Sequence, residues 1–162
     1  MTPGAEEPPR LDVRRPASLG RIHGLHAATA RRLRLLDALT RLGEALVRES
    51  RDRLAAEGCL PAKARRVTAQ GVTGWLYPVT SEHGDPFRLF VWFDGAAYQV
   101  KVVEPALDAG TDPHACHVFP DARLCLGGDP GGGMPTLEGA FARSVLWANG
   151  YAEWRRTGRF PF

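Results

Sequence analysis

Hydrophobic and polar positions follow a helical period near the start of the chain. Between Thr29 and Glu57 leucines recur at steps of three and four, which places them on one face of a helix. They are Leu35, Leu36, Leu39, Leu42 and Leu46. Gly58 supplies a stop signal after them. The pattern predicts one long amphipathic helix over residues 29–57.

After Gly58 the hydrophobic period drops to two, and β-branched and aromatic residues cluster between turn signals. The alternation predicts four strands, near Ala64–Ala69, Val72–Val79, Phe87–Phe93 and Ala96–Val103. The Asp94-Gly95 pair is a hairpin signal between the last two. Because the connections are short, consecutive strands should pair as an antiparallel meander. We expect the leucine face of the first helix to cover one face of this sheet.

Residues 105–133 have no steady period and are rich in proline and glycine, which indicates a long irregular segment of the kind that often carries function. A second helix is predicted from Thr136 to about Trp154, closed by Gly158. Its apolar positions are Leu137, Phe141, Val145 and Leu146, with Trp147, Tyr151 and Trp154 as aromatic core. The predicted class is α+β: an N-terminal helix packed on a four-stranded antiparallel meander sheet, an irregular segment and a C-terminal helix.

Composition and charge narrow the classes of function. Residues 1–18 hold four prolines without apolar periodicity, which predicts a flexible leader before a single domain over 19–162. A basic start followed by an apolar run is absent, so we expect a cytoplasmic protein with no membrane partner. The formal net charge of +3 comes from arginine in a composition typical of GC-rich bacterial genomes, so it does not indicate a nucleic-acid partner.

The irregular segment gathers the candidate chemistry in the stretch HACHVFPDARLCLGG, residues 114–128. An odd number of cysteines, three, favours free thiols over a disulfide framework. Cys125, next to Arg123 and two glycines, is a candidate nucleophile, although a cysteine between leucines is also typical of a buried small apolar residue. An alternative is a zinc site whose spacing matches none of the usual ligand pairs. Its ligands would be His114, Cys116, His117 and Cys125.

The order of elements and this stretch together resemble the ubiquitin-conjugating enzyme family. Its members carry a segment of the form H-P-N-x-Y-x-D/N-G-x-I/V-C-L. Val118–Leu126 aligns with the part of this segment that follows the asparagine, and its aromatic residue, its Pro-Asp pair and its Cys-Leu pair fall at matching positions. The resemblance covers roughly residues 29–157. It implies that Cys125 is the thioester-forming cysteine.

This sequence departs from the family segment at positions other than the cysteine. His117 stands where the family has an asparagine that orders the loop and stabilises an oxyanion, and Ala122 stands where it has a glycine. A histidine can donate the same hydrogen bond or take a proton from the amine. Asp129 is a further candidate for orienting or deprotonating the amine, with loop solvation as the alternative. The glycines of residues 127–133 would give the modifier's tail a channel free of side chains.

The resemblance implies a transferase that carries a modifier. Cys125 would receive a ubiquitin-like modifier from a ThiF-type activating enzyme and pass it to an amine on a target protein. No metal or organic cofactor is implied for this step, because ATP is consumed in an earlier step of the pathway. The way in which this sequence diverges from the family segment is similar to that of bacterial ubiquitin-conjugating-like proteins, which are often encoded in antiviral defence operons. Two alternatives stay open: a non-catalytic module that binds a modifier or partner, and a small zinc-binding domain.

Overall fold

The fold has the predicted α+β class. The structure is a computed structural model that describes residues 19–108, 110–127 and 131–162. Its elements are α1 Leu19–Cys59, β1 Arg65–Ala69, β2 Val72–Thr80, β3 Pro86–Phe93, β4 Tyr98–Glu104 and α2 Leu137–Thr157. Within these ranges no helix is both long and apolar enough to cross a membrane. The leader predicted for 1–18 lies outside the described residues.

The four strands form the predicted antiparallel meander, in the order β1-β2-β3-β4. On β3 and β4, Leu89 lies opposite Val102 and Val91 opposite Val100. All four side chains are buried, so these alternating positions form the inner face of the sheet. β4 starts two residues later than predicted, at Tyr98, because the N–H groups that precede it belong to the hairpin loop.

That hairpin loop is organised by Asp94. Its carboxylate accepts the backbone N–H groups of Ala96 and Ala97 at 2.8 and 2.9 Å, and these bonds lower the pKa of Asp94. Gly95 has a φ of 109°, a conformation that favours glycine. The Asp-Gly pair therefore marks the hairpin, as the sequence predicts, with a loop longer than the pair itself.

The chain divides into two compact units, 1–47 and 48–162, and the second contains the end of α1, the sheet and α2. In this second unit Ala56 and Leu60 join the core, Tyr98 donates a hydrogen bond to Asp52, and Arg48 stacks over the Phe93 ring at 4.3 Å. The end of α1 thus packs on the sheet, as predicted. The single domain predicted over 19–162 stays a prediction.

Two predictions about α1 are wrong in detail. The helix begins at Leu19, ten residues before Thr29, and it continues past Gly58 to Cys59, with Pro61 just beyond. The leucines predicted to cover the sheet are each more than half exposed; they are Leu35, Leu36, Leu39, Leu42 and Leu46. They belong to the first unit, whereas the inner face of the sheet is buried within the second. Their helical spacing therefore does not mark a buried stripe.

α2 completes the core and has both predicted ends. The Thr136 side chain accepts the N–H of Gly139, and Gly158, at φ 74°, closes the helix by donating to Trp154. Leu137, Trp147 and Tyr151 are buried as predicted. Leu146 is not: it is 45% exposed, because it faces a cavity on the side of α2 that leads to the irregular segment.

Candidate functional site

The outer edge of β4 holds the irregular segment that contains Cys125. Backbone hydrogen bonds of 2.8 to 3.0 Å join the two; the pairs are Leu124 with Val100, Ala122 with Val102, and Met134 with Tyr98. Cys125 lies between these points of attachment. The backbone on both sides of its thiol is therefore fixed by the same strand.

The turn that leads into His117 is held from two directions. The Asp112 carboxylate accepts two backbone N–H groups of the turn, at 2.9 and 3.2 Å. From the other side, the indole N–H of Trp147 donates to the carbonyl oxygen of Cys116 at 2.8 Å, and both residues are buried. The residue immediately before His117 is thus anchored to α2.

His117 and Cys125, two of the predicted catalytic residues, are joined through their backbones. The N–H of Cys125 donates to the carbonyl oxygen of His117 at 2.8 Å. His117 itself has a φ of 52°, in the left-handed region that few residues other than glycine adopt. Residues held in such conformations cluster at functional sites, and His117 shares this geometry with Gln70 and Ala122.

Both residues line one cavity of ≈ 520 Å³. Its wall is mostly apolar, with contributions from Leu126, Met134, Leu146, Trp147, Phe160 and Phe162. Arg143 adds a guanidinium to the rim. The thiol of Cys125 is half-buried, and its sulfur lies 3.7 Å from the carbonyl oxygen of Gly127. A thiol, an imidazole and a guanidinium thus line one partly enclosed space.

The other two thiols are poorly suited to nucleophilic chemistry. Cys116 is fully buried, and burial together with Asp112 raises the pKa of its thiol to about 11. Burial, followed by Glu138, raises the pKa of the Cys59 thiol. Since the thiolate is the nucleophilic form, a raised pKa leaves less of it at neutral pH. Among the three cysteines, Cys125 is the one that lines this cavity.

Three of the glycines that follow Cys125 are explained by packing within the chain. A Cβ on Gly127 would lie 2.6 Å from the carbonyl oxygen of Gly133, and one on Gly133 would lie 2.6 Å from the Gln99 amide nitrogen. A Cβ on Gly132 would meet the Phe119 ring at 2.6 Å. These three positions admit only glycine because the chain approaches itself there, so their presence does not indicate a channel for another chain.

The tight turn before Cys125 contains a second left-handed residue, Ala122, at φ 65°. Asp121 bonds within its own turn: its carboxylate accepts the backbone N–H of Arg123 at 3.2 Å and the side-chain Nε–H of Arg123 at 2.7 Å. The guanidinium also stacks over the Phe119 ring at 4.8 Å. These contacts shape the loop that presents Cys125.

The remaining predicted residues contribute less. Asp129 lies outside the described residues. His114 is exposed. In the described ranges no group of three or more His, Cys, Asp or Glu side chains is close enough to hold a metal ion, so the four zinc ligands considered from the sequence do not come together.

Sequence reasoning missed part of this site. Phe160, Phe162 and Arg143 line the cavity, yet none was predicted to be functional. Arg143 lies one helical turn before Trp147, a weak signal that any solvated helix face would also give. The two phenylalanines follow α2 without any periodic pattern, so only the fold reveals their place.

No protein-family model matches this chain, and no curated protein or solved structure is significantly similar to it. A function for the Cys125 cavity is therefore argued from its own residues.

Proposed function

We propose that this protein carries a ubiquitin-like modifier as a thioester on Cys125 and transfers it to an amine on a target protein. One observation supports this most directly. The half-buried Cys125 and the exposed His117 line the same cavity, and a hydrogen bond of 2.8 Å joins their backbones. A nucleophile beside a group that can donate or accept a proton is the combination that acyl transfer requires.

The two left-handed residues support the resemblance to ubiquitin-conjugating enzymes. His117 stands at the family's asparagine and Ala122 at its glycine, and their φ angles are 52° and 65°. Asparagine and glycine are residues that tolerate positive φ well, and histidine does so better than most. The backbone of this chain therefore has the conformation that the family's own residues would favour at both positions.

In the loading step, the thiolate of Cys125 attacks the carbonyl carbon of a thioester between the activating enzyme and the modifier's C-terminus. A carbon–sulfur bond forms to Cys125 while the bond to the activating enzyme's sulfur breaks. That sulfur leaves as a thiolate and takes up a proton. ATP is consumed earlier, by the activating enzyme, so this step needs no cofactor.

In the transfer step, a target amine attacks the thioester carbon on Cys125 and forms a tetrahedral oxyanion. His117 donates a hydrogen bond to this oxyanion or takes a proton from the amine. Collapse of the intermediate forms the amide bond, breaks the carbon–sulfur bond and releases the Cys125 thiolate. The shared cavity supports a role for His117 in this second step.

The test is a loading reaction with ATP, a ThiF-type activating enzyme and a ubiquitin-like modifier from the same gene neighbourhood, resolved on a non-reducing gel. We expect a protein–modifier adduct that a reductant removes. Cys125→Ala should form none, and Cys125→Ser should form an ester that survives the reductant. Cys59→Ala is the matched control and should still load, since Cys59 lies at the end of α1 and does not line the cavity.

Two results would contradict the proposal. One is an activating enzyme that charges itself but transfers nothing to Cys125, which would favour the non-catalytic binding module. The other is an adduct that persists in Cys125→Ala and disappears in Cys116→Ala.

A further inference from the structure

The chain leaves α2 in a fixed direction that brings it back to the Cys125 cavity. Gly158 closes the helix at φ 74°, with its N–H bonded to Trp154 at 2.7 Å. The Thr157 hydroxyl then accepts the N–H of Arg159 at 3.2 Å. These local bonds direct Phe160 towards α2.

Phe160 sits on the helix at Gly150. A Cβ added to Gly150 would lie 2.6 Å from Cζ of the Phe160 ring and 3.0 Å from both Cε atoms. Gly150 is buried inside α2, where glycine is otherwise a poor choice because it weakens a helix. The missing side chain is what lets the aromatic ring lie directly on the helix backbone.

The same ring contacts His117. The two ring centres are 5.4 Å apart with the planes tilted by 51°. Histidines at functional sites are usually oriented by a hydrogen bond to one ring nitrogen. Among the described residues no hydrogen bond or ion pair holds the His117 imidazole. Among the described residues, Phe160 is the one aromatic ring that contacts the imidazole.

We infer that Phe160 is a positioning residue for His117: seated in the space left by Gly150, it holds the imidazole at the wall of the Cys125 cavity. Its effect on catalysis rests on the proposed function, whereas its effect on the His117 ring does not. Phe160 itself takes no part in bond making. Its contribution is to keep His117 in one place when the thioester is attacked.

The first test is proton NMR of the imidazole resonances in the free protein, with the His117 signals identified by their absence in His117→Asn. An adjacent aromatic ring displaces these resonances, so Phe160→Leu should move them towards the values of a histidine with no neighbouring ring. Gly150→Ala should move them too, because its Cβ displaces the ring. In a Phe160→Leu background, Gly150→Ala should add no further movement. Phe162→Leu is the matched control and should move them much less.

The second test measures discharge of the Cys125 thioester to lysine in a single turnover. Phe160→Leu should slow the maximal discharge rate about tenfold or more, with little change in the lysine concentration at half-maximal rate. His117→Ala should slow it similarly, and the double variant should be no slower than His117→Ala. Discharge is measured on protein that is already loaded, so the rate does not depend on how fast each variant loads Cys125.

The outcomes distinguish the positioning role of Phe160 from its effect on catalysis. His117 resonances that stay in place in Phe160→Leu overturn the positioning role. Resonances that move while discharge keeps its rate overturn the catalytic consequence. If Cys125 cannot be loaded at all, the proposed function fails, and the NMR comparison still decides whether Phe160 positions His117.

Discussion

The indole N–H of Trp147 donates a hydrogen bond of 2.8 Å to the carbonyl oxygen of Cys116, and both residues are fully or almost fully buried. This bond joins the middle of α2 to the turn that precedes His117. A buried carbonyl that loses its partner has no water to replace it. The position of His117 therefore depends on a helix residue that sequence analysis assigned only to the core.

Trp147→Phe should destabilise the protein by about 1–3 kcal/mol, because it leaves the Cys116 carbonyl without a partner. Urea unfolding would measure the loss. Trp154→Phe is the matched control: Trp154 is half-buried and stacks on Tyr151 at 5.5 Å, so the variant should cost less. Equal losses in the two variants would mean that ring volume, and not the hydrogen bond, accounts for the effect.

The three thiols should react with iodoacetamide in a fixed order: Cys125 first, Cys59 second and Cys116 last. Access and the raised pKa values of the other two thiols set this order. For Cys116, a pKa about two units above the ordinary value means about a hundredfold less thiolate at neutral pH. Peptide mass spectrometry over time would follow the labelling. Early modification of Cys116 in the folded protein would contradict the burial described here.

Stability should fall in alkaline solution partly because of Cys116. Its thiol has a pKa of about 11 in the folded protein against an ordinary value of 9.0. The unfolded chain therefore loses this proton first, and the stabilisation present below pH 9 disappears as pH approaches 11. One thiol contributes at most about 1.4 kcal/mol per pH unit.

The measurement is the free energy of unfolding at a series of alkaline pH values. Cys116→Ala should show a smaller decline with pH than the wild type. Some decline should remain, because burial also raises the pKa of Tyr77 and Tyr98. Identical slopes in the two proteins would argue against a buried Cys116 thiol.

Ala122→Gly should stabilise the protein by about 1 kcal/mol, since alanine is strained at a φ of 65° and glycine is not. Thermal unfolding would show the gain. Ala115→Gly, in the preceding turn with no positive φ, should instead lower stability by about 0.5–1 kcal/mol. A loss in Ala122→Gly would contradict the left-handed turn.

His117→Asn should keep the stability of the wild type, because asparagine also tolerates positive φ. His117→Ala should lose about 1 kcal/mol, as alanine adopts this conformation less readily. His114→Ala, at an exposed position of the same turn, should change stability by less than about 0.5 kcal/mol. Chemical denaturation of the three variants would test the ranking, and equal stability of His117→Ala and His117→Asn would refute it.

Where local patterns carry the information, the sequence predicts the fold well. β2 starts at Val72 and β3 ends at Phe93 as predicted, since alternating residues such as Leu89 and Val91 record which face is buried. Spacing alone is less informative for α1. Residues such as Leu39 have the period of a buried stripe, but burial needs a partner surface, and a helical period does not specify one.

The candidate site likewise has a part that the sequence predicts and a part that it does not. Cys125 and His117 could be predicted because both belong to one short motif, whose spacing is visible in the sequence. Phe160 contacts His117 only because Gly158 turns the chain and Gly150 leaves room for a ring. That relationship joins residues 150–160 to His117, which lies far from them in the sequence, so no local pattern records it.

The attachment of the Cys125 segment to β4 also affects solubility. A bare edge strand offers unpaired N–H and C=O groups to another molecule and promotes self-association. β1, at one side of the sheet, carries the charges of Arg65 and Arg66, whereas the outer groups of β4 are occupied by the segment itself. Variants that loosen this segment should therefore aggregate more readily, because the segment that carries Cys125 also covers the edge of the sheet.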